Sequence, residues 1–309
     1  MPDISIIIPT LNAVAYLPSL RGAFESQSRK ASEIVIIDSS SEDETTSLAR
    51  EYGWGVIEID RREFDHGATR NLAAQTATGS ILVFLSQDAM PADHHWLTSL
   101  VQPVEAGSVA AAFSRQLARP EASLKELYAR LHNYPDRSRT RSLADVNTFG
   151  ILATFYSNVS SATSRQAFIE VGGFPERTII NEDGQYAAKL LEANFEIAYV
   201  AESKVIHSHN YGLGLQFRRN FDIGVSHAQA DGLMRRANTT SAGMTFLRGQ
   251  LAFVRSEGTL LDLLGVVLEA AAKFSGYHLG RRYSSLPLTL RRRLSWNANY
   301  WTTAEQSVL

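Results

Sequence analysis

Short runs of β-branched residues alternate with longer amphipathic segments between Ile4 and Arg115. The β-branched runs read ISIIIP, EIVIID, VIEID, SILVFLSQD and SVAAAFSR. Helices are predicted around Leu17 to Phe24, in SEDETTSLAREY, in ATRNLAAQTA and from Trp96 to Val104. Continuous apolar strands separated by helices are typical of a parallel sheet that is covered on both faces. The pattern therefore predicts an α/β fold.

Polar clusters follow three of these strands, with the sequences PTLN, DSSSEDET and SQDA. In parallel sheets, ligands bind beyond the carboxyl ends of the strands, so these clusters are candidate site residues. The chain has no glycine between Pro9 and Leu20. Neither a dinucleotide fingerprint nor a phosphate-cradling loop can form in that turn. The sequence thus disfavours nicotinamide, ATP and nucleotidyltransferase sites.

Composition limits the function classes further. The chain has 309 residues, 44% of them hydrophobic and 20% charged, with a net charge of −2 and no cysteine. These values predict a globular protein without disulfides or thiolate metal ligands, and they argue against nucleic-acid binding. We expect no signal peptide. We expect no membrane-spanning helix, because Asp262, Glu269 and Lys273 interrupt the most apolar stretch, LLDLLGVVLEAAAKF.

Several motifs occur in a fixed order: ISIIIPTLN, EIVIIDSSSEDET, ATRNLAAQTATGSILVFLSQDAMP, GGFPE, NEDGQYAAKLLEANFEIAYV and VIHSHNYG. With them the chain resembles, over residues 4 to 225, the inverting family 2 glycosyltransferases of GT-A fold. More narrowly, FDHGATRN with SQDA and SHNYG is similar to bacterial rhamnosyltransferases that use dTDP-L-rhamnose to build cell-surface polysaccharide. The resemblance implies an enzyme with a nucleotide-sugar donor, a saccharide or polyprenyl-diphosphate-linked acceptor, and a divalent metal, Mg²⁺ or Mn²⁺.

The resemblance places the nucleotide at the ends of the first two strands. It implies that Asp38 accepts a hydrogen bond from the N3 imide of uracil or thymine and that Pro9, Thr10 and Asn12 line the same pocket. The alternative for Asp38 is a helix cap, because Ser and Asp before EDETTSL also satisfy free backbone amides. We expect Ser40 or Ser41 to be that cap instead. Pro9, Thr10 and Asn12 would otherwise form a simple turn.

FDHGATRN places three further candidates near a helix start, where a helix dipole and a guanidinium suit a diphosphate: His66, Arg70 and Asn71. A loop Asp-His-Gly is, by itself, more often a turn. Gln87 is included among the nucleotide-sugar residues because the glutamine in SQDA matches the rhamnosyltransferase subgroup.

The motif SQDA retains a single carboxylate, Asp88. The family usually has Asp-x-Asp here and its last acid binds the metal, whereas Ser86 replaces the first acid in this chain. Mg²⁺ can be held by one or two carboxylates when phosphates and waters supply the remaining ligands. The resemblance thus implies that Asp88 is sufficient. A turn aspartate before Pro91 is the alternative.

Two histidines in VIHSHNY are further candidate ligands. His207 and His209 are two residues apart on a predicted extended segment, so their side chains point the same way. The family's C-terminal histidine matches His207, and His209 belongs to the rhamnosyl-type pattern. Either could equally be structural. Asn210 and Tyr211 would complete the loop.

The pair Glu182-Asp183 opens the amphipathic segment GQYAAKLLEANF. Acids at a helix start also have a purely structural explanation, because the helix dipole favours negative charge there and Asn181 is a good cap. The resemblance to the family's Glu-Asp motif implies that Asp183 is the catalytic base and that Glu182 supports it or contacts the acceptor.

We predict a GT-A domain at 1–230 and a helical extension at 231–309. The extension interleaves arginines with aromatic residues, a pattern that suits a membrane headgroup region or a lipid-diphosphate acceptor, and equally a solvated basic helix or a subunit interface. We expect a cytoplasmic protein, peripheral on the inner face of the plasma membrane, with homo-oligomerisation as an option. The arginines and aromatic residues of this pattern are Arg281, Arg282, Tyr283, Arg291, Arg292, Arg293, Trp296 and Trp301.

Other functions fit the same motifs. A transferase using UDP-linked sugars would share every core motif and differ only in donor binding. A non-catalytic GT-A scaffold is suggested only by the reduced SQD signature, and retention of Asp38, Asp88, Asp183 and His207 argues against it. A nucleotide-sugar hydrolase would release product without any acceptor.

Overall fold

A computed structural model of the chain describes residues 3–235 and 240–302. The chain forms two compact units that alternate along the sequence. We call them the sheet unit, which comprises Met1–Leu117, Tyr134–Glu176 and Glu182–His207, and the helical unit, which comprises Ala118–Asn133, Arg177–Asn181 and Ser208–Leu309.

One mixed sheet organises the sheet unit. Its strands, within the described residues, are β1 Ile4–Thr10, β2 Glu33–Asp38, β3 Gly55–Glu58, β4 Ile81–Leu85, β5 Met90–Pro91, β6 Ala111–Leu117, β7 Arg139–Arg141, β8 Ser160–Ser164 and β9 Ile197–Ile206. The order is β3-β2-β1-β4-β8-β6-β9-β5, and β7 pairs with β9. Strands β3, β2, β1 and β4 are mutually parallel, whereas β8 runs antiparallel to both β4 and β6. The α/β prediction is confirmed.

The described α-helices are α1 Leu17–Glu25, α2 Thr45–Glu51, α3 His66–Thr76, α4 Trp96–Glu105, α5 Leu124–Asn133, α6 Val146–Phe149, α7 Arg165–Glu170, α8 Glu182–Glu192, α9 Leu213–Gln229, α10 Gly232–Arg235, α11 Thr240–Glu257, α12 Leu260–Arg281 and α13 Leu288–Leu294. Short 3₁₀ helices lie at Leu143–Asp145, Gly150–Thr154 and Tyr283–Ser285. The four helices predicted before residue 105 are confirmed as α1 to α4. None of the helices in the described ranges has the length and hydrophobicity that crossing a bilayer requires.

The core of the sheet unit explains why its sequence pattern is easy to recognise. Ile6 and Ile8 of β1 and Ile36 of β2 pack with Leu17 and Leu20 of α1 and with Trp96 of α4, and all six side chains are buried. Burying each such side chain stabilises the fold by roughly 1.5–3 kcal/mol. The register pairs Thr10 with Asp38, so the carboxyl ends of β1 and β2 lie side by side.

The helical unit is held together where α9 and α12 pack without side chains between them. A Cβ atom added to Gly224, Gly276 or Gly280 would lie 2.2, 2.3 or 2.0 Å from a backbone carbonyl oxygen of the other helix. Real Cβ atoms do not approach that closely, so only glycine fits at these three positions. The glycines therefore set how near the two helices lie.

A buried ion cluster joins α5 to α12. The Glu269 carboxylate accepts from Lys125 Nζ at 2.8 Å and from Lys273 Nζ at 2.7 Å. Burial opposes ionisation of Glu269, but the two ammonium groups outweigh it and lower its pKa. The carboxylate is thus compensated on both sides, as a buried charge must be.

The helical unit differs in extent from the predicted extension. It contains the C-terminal helices that the sequence predicts, and it also takes in residues from Ser208 onward and two earlier segments. The boundary at residue 230 stays a prediction. Residues 236–239 and 303–309 of the predicted extension lie outside the described residues.

Candidate active site

Asp38 is buried at the carboxyl end of β2 and is rigidly held. Its Oδ2 accepts from Thr10 Oγ1 at 2.9 Å and from Ser41 Oγ at 2.5 Å, and its Oδ1 accepts from the Ser41 N–H at 2.8 Å. Helix α2 starts only at Thr45, with Glu44 as its N-cap. The prediction that Ser40 or Ser41 caps this helix is therefore wrong, because Ser41 is used to fix Asp38.

Backbone contacts join Asn12 and Gln87 to the same sheet edge. Asn12 has a φ of 50° and its Oδ1 accepts from the Glu42 N–H at 2.9 Å. The Gln87 amide accepts from the Leu11 N–H at 2.8 Å and donates to the Leu11 carbonyl at 3.1 Å. Pro9 precedes this turn within β1. The predicted nucleotide residues from three strand ends thus share one edge of the sheet.

The FDHGATRN motif forms the start of α3, as predicted. The Asp65 side chain caps the helix, accepting from the backbone N–H groups of Gly67 and Ala68 at 3.0 and 2.8 Å. A Cβ atom on Gly67 would lie 2.0 Å from the carbonyl oxygen of Pro175. The glycine is thus required because α3 touches the loop that contains GGFPE.

Asn71 holds that loop in place. Its Oδ1 accepts from the Phe174 N–H at 2.9 Å, and its Nδ2 donates to the Phe174 carbonyl at 2.9 Å and to Glu176 Oε1 at 3.1 Å. The predicted role of Asn71 in nucleotide-sugar binding stays a prediction.

Arg70 connects the motif to the acidic pair. Its buried guanidinium lies 3.4 Å from Glu182 Oε1, and its Nη1 donates to the His66 carbonyl at 2.8 Å. Its Nε is buried and has no hydrogen-bond partner among the described residues. A buried donor without a partner is costly, so this position favours an anionic ligand.

Glu182 and Asp183 open helix α8, and their pKa values are shifted in opposite directions. Burial opposes ionisation of Glu182, but His66 and Arg70 outweigh it and hold its pKa below the ordinary value. Burial and the neighbouring Glu182 charge raise the pKa of Asp183 to about 7, although the N–H groups of Gly184 and Asn158 oppose the shift. Pairs whose pKa values are driven apart mark acid and base assignments. The group with a pKa near neutrality is suited to general-base catalysis.

A candidate metal site lies beyond β4 and β9. One ligand atom from each of Asp88, His207 and His209 lies within 4.8 Å of the other two. The His207 Nε2 to Asp88 Oδ1 distance is 3.5 Å. A carboxylate oxygen and imidazole nitrogens form a donor set that fits a divalent transition metal.

Gln116 orients His207. The Gln116 Oε1 lies 3.1 Å from His207 Nδ1, and the Gln116 Nε2 donates to Ser157 Oγ at 3.0 Å. An amide oxygen can only accept a hydrogen bond, so this contact requires the His207 tautomer that carries its proton on Nδ1. This leaves the lone pair of Nε2 toward Asp88, the arrangement that metal-binding histidines require.

Sequence reasoning missed Gln116 and Asn158. Gln116 lies near the carboxyl end of β6, so the rule applied to the other strand ends would have found it. The Asn158 side chain donates to Glu182 Oε1 at 3.5 Å and its backbone N–H donates to Asp183 Oδ2 at 3.4 Å. No local pattern identifies it, because its partners are 24 and 25 residues away.

Comparisons with known proteins define the class. The family model described as glycosyl transferase family 2 matches residues 5–172, more than half of the chain. The protein therefore belongs to glycosyl transferase family 2, and it is a glycosyltransferase. A solved mannosyltransferase from Pyrobaculum calidifontis, in complex with GDP-Man and Mn²⁺, matches with a TM-score of 0.59 at 18% identity, over 99% of this chain and 88% of that one. This likeness confirms the GT-A fold.

Two relatives are similar over almost the whole length. The O-antigen chain rhamnosyltransferase RfbN of Salmonella typhimurium is 37% identical over 307 residues, which is 98% of each chain. The O-antigen chain rhamnosyltransferase WbaN of Salmonella anatum is 37% identical over 310 residues, covering 99% of this chain and 98% of its own. The predicted resemblance is confirmed.

Proposed function

We propose that the protein transfers L-rhamnose from dTDP-L-rhamnose to a saccharide acceptor of a cell-surface polysaccharide, with inversion at the anomeric carbon. The observation that carries this proposal is the extent of the similarity to the two O-antigen chain rhamnosyltransferases. The family model ends at residue 172, whereas the 37% identity continues through almost the whole chain and thus includes the helical unit.

Asp183 is the base in this mechanism. Its carboxylate takes the proton of the acceptor hydroxyl, the acceptor oxygen forms a bond to the anomeric carbon, and the bond from that carbon to the nucleotide breaks with its electron pair on the diphosphate. The raised pKa of Asp183, about 7, supports proton uptake near neutrality. Glu182 keeps its charge beside Arg70 and positions the base.

The nucleotide-sugar donor binds at the edge of the sheet that the carboxyl ends of β1, β2 and β4 form. Asp38 accepts from the pyrimidine N3–H, and Pro9, Thr10, Asn12 and Gln87 surround the base and ribose. His66, Arg70 and Asn71 lie toward the sugar and phosphates, and the unpartnered Nε of Arg70 supports an anionic group there.

Asp88, His207 and His209 hold the metal. When bound, the metal stabilises negative charge on the leaving diphosphate. Imidazole ligands favour Mn²⁺ over Mg²⁺, which prefers oxygen donors. Gln116 fixes the ring of His207 for this role.

The helical unit makes a peripheral contact with the cytoplasmic face of the membrane. Helix α12 presents exposed apolar residues at helical spacing, and basic residues lie at exposed positions in the same unit. Such a combination favours binding to anionic lipid. The exposed apolar residues of α12 are Leu260, Leu261, Leu264, Val267, Leu268 and Phe274. The exposed basic residues are Arg282, Arg292 and Arg293.

Two predicted membrane contacts are used internally instead. Arg291 donates to the carbonyls of Leu286 and Ser284 and lies over the rings of Tyr283 and Trp301, and Trp301 is buried. Flotation with phosphatidylglycerol vesicles tests the contact, with Leu261→Ser/Leu264→Ser expected to reduce binding. Unchanged flotation contradicts the contact, and a dimer in light scattering that the same variant dissociates favours a subunit interface.

A thermal-shift titration tests the donor. The protein is titrated with dTDP, dTDP-L-rhamnose, UDP and UDP-sugars, each with Mn²⁺ and with chelator, because a ligand of the folded state raises stability by RT ln(1 + [L]/Kd). We expect the dTDP ligands to give the largest shift and the chelator to remove it. The same shift should be lost in Asp88→Asn and retained in His94→Ala, an exposed histidine.

Other outcomes separate the alternatives. A larger shift with UDP ligands contradicts the donor assignment and leaves the mechanism intact. No shift with any nucleotide favours a scaffold. Release of dTDP without acceptor, at a rate that acceptor does not change, identifies a hydrolase.

A further inference from the structure

A stacked column of side chains lies within the helical unit and begins at His209. The His209 and Tyr211 rings stack with centroids 5.0 Å apart and planes 15° apart. The Arg219 guanidinium then lies 4.8 Å from the Tyr211 ring centroid and 4.8 Å from the Trp296 ring centroid. Trp296 is 41% exposed. The column therefore runs from a candidate metal ligand to an exposed indole.

Helix α9 fixes both ends of the Arg219–Trp296 contact. Three residues after Arg219, the buried Asp222 accepts from Ser295 Oγ at 2.6 Å and from the backbone N–H groups of Trp296 and Asn297 at 3.0 and 2.9 Å. The indole is thus anchored through its own backbone and covered by a guanidinium. An exposed aromatic ring that is held this firmly is prepared for binding, because little conformational entropy remains to be lost.

The same segment is tied to the chain just before the catalytic pair. Asn297 Nδ2 donates to the Ile179 carbonyl at 3.2 Å, and Ile179 precedes Glu182 by three residues. Ile179 also packs with Phe221 of α9 and with Trp301 in one buried cluster. The segment that presents Trp296 is therefore anchored to residues that come shortly before the proposed base in the sequence.

We propose that this column is the acceptor subsite and that a pyranose ring of the acceptor saccharide stacks on Trp296. This proposal rests on the proposed function, since it names the residues that recognise the second substrate. The apolar C–H face of a sugar ring suits an aromatic face, and the hydroxyls around it suit the N–H donors of Arg219. Arg219 is a positioning residue for Tyr211 and Trp296.

Tryptophan fluorescence with methyl glycosides tests the subsite directly. The probes are the methyl glycosides of D-galactose, D-mannose, N-acetyl-D-glucosamine and L-rhamnose, added to the metal-loaded protein. We expect at least one of them to give a saturable change in emission. The change should disappear in Trp296→Ala and persist in Trp54→Phe, a matched change at a half-buried tryptophan of the sheet unit.

Arg219→Lys provides the second variant. It keeps the charge and loses the planar group that stacks between two rings, so we expect roughly tenfold weaker glycoside binding. A merely structural Arg219 would change the thermal midpoint without changing this affinity at a temperature where the variant is folded.

Two outcomes of the fluorescence titration decide against the subsite. No saturable change with any glycoside, or a change that persists in Trp296→Ala, overturns it. A Trp296 signal that responds to phosphatidylglycerol vesicles and to no glycoside assigns this residue to the membrane instead. The donor titration is independent, so a failure of dTDP ligands with intact glycoside binding rejects the rhamnosyl donor and keeps the subsite.

Discussion

The two units of the chain pack by opposite means. In the sheet unit, large side chains such as Ile6, Leu20 and Trp96 fill the space between strands and helices. In the helical unit, Gly224, Gly276 and Gly280 remove side chains so that α9 and α12 touch through their backbones. The first arrangement leaves a periodic pattern in the sequence, whereas the second leaves only scattered glycines.

The units also use buried carboxylates differently. The sheet unit keeps Glu182 and Asp183 adjacent, so that the charge of one raises the pKa of the other. The helical unit isolates Asp222 among hydrogen-bond donors, and although burial raises its pKa to about 6, its role is to hold a segment of chain. Substitutions in the sheet unit should therefore affect chemistry first, and those in the helical unit stability first.

The largest effect is expected from Asp183→Asn. The amide cannot take the acceptor proton, so we expect kcat to fall by about 10³-fold while the donor Kd is unchanged. Steady-state kinetics and donor titration measure both. Asp222→Asn is the matched change in the helical unit, and it should retain most activity because its amide can accept from both backbone N–H groups and donate to Ser295. Equal losses in the two variants would break the contrast between the units.

Gly280→Ala should give the largest loss of stability. Its methyl group would lie 2.0 Å from the Phe221 carbonyl oxygen, so α9 and α12 must separate, at a cost of about 3 kcal/mol in the free energy of unfolding. Gly265→Ala on the same helix meets only Lys125 Nζ at 3.7 Å and should be neutral or up to ~1 kcal/mol stabilising. Urea unfolding compares them. Similar values for the two would show that the helix contact is not the reason.

The Gln116→Leu variant tests whether the sheet unit supports metal binding by orienting His207. The variant loses the acceptor of His207 Nδ1–H, so we expect Mn²⁺ affinity to fall about 10- to 100-fold. Calorimetric titration of Mn²⁺ measures it. Ser157→Ala removes only the outer partner of Gln116 and should have a smaller effect. An unchanged affinity in Gln116→Leu would contradict the role of Gln116 in orienting His207 for the metal.

The smallest effect is a shift of the pH profile. The base must be ionised, so kcat/KM of the wild type should rise with pH around a midpoint of about 7 and level off at higher pH. Glu182→Gln removes a neighbouring negative charge, which should move the midpoint to lower pH.

Because the pKa of Asp183 is raised on folding, its contribution to stability is present below pH ~4 and is lost as pH rises through about 7. Asp183→Asn should remove that part of the stability profile.

The fold of the sheet unit was predictable because its information is local. Strands β1, β2 and β4 and helices α1 to α4 each occupy a continuous stretch with a clear period. The strand-end rule and the family resemblance together pointed to Asp38, Gln87 and Asp88. What the sequence could not supply was the partner of each group. Asp38 is fixed by Ser41, which looked like a helix cap, and His207 is oriented by Gln116, 91 residues earlier.

In the helical unit, the residue types in the sequence give little indication of what each side chain contacts. The basic and aromatic residues near the C-terminus form one composition pattern, but they have separate uses: Arg291 closes a local turn and Trp296 stands exposed beside Arg219. Asp222 is an ordinary helical aspartate in the sequence, and its partners lie 73 to 75 residues further along. Contacts of that range depend on how α9 packs, which no local period encodes.

The contact between Gly67 and Pro175 has a consequence for how such chains diverge. Because the helix start and the GGFPE loop touch through backbone atoms, a homologous chain that replaces the glycine must also change the path of residues 173–176. That loop is further held by Asn71, from the same motif as the glycine. We therefore expect the two motifs, which lie about a hundred positions apart in the sequence, to constrain each other. Alignments of related chains should show them changing together, and a chimaera that takes only one of them from a distant relative should fold poorly.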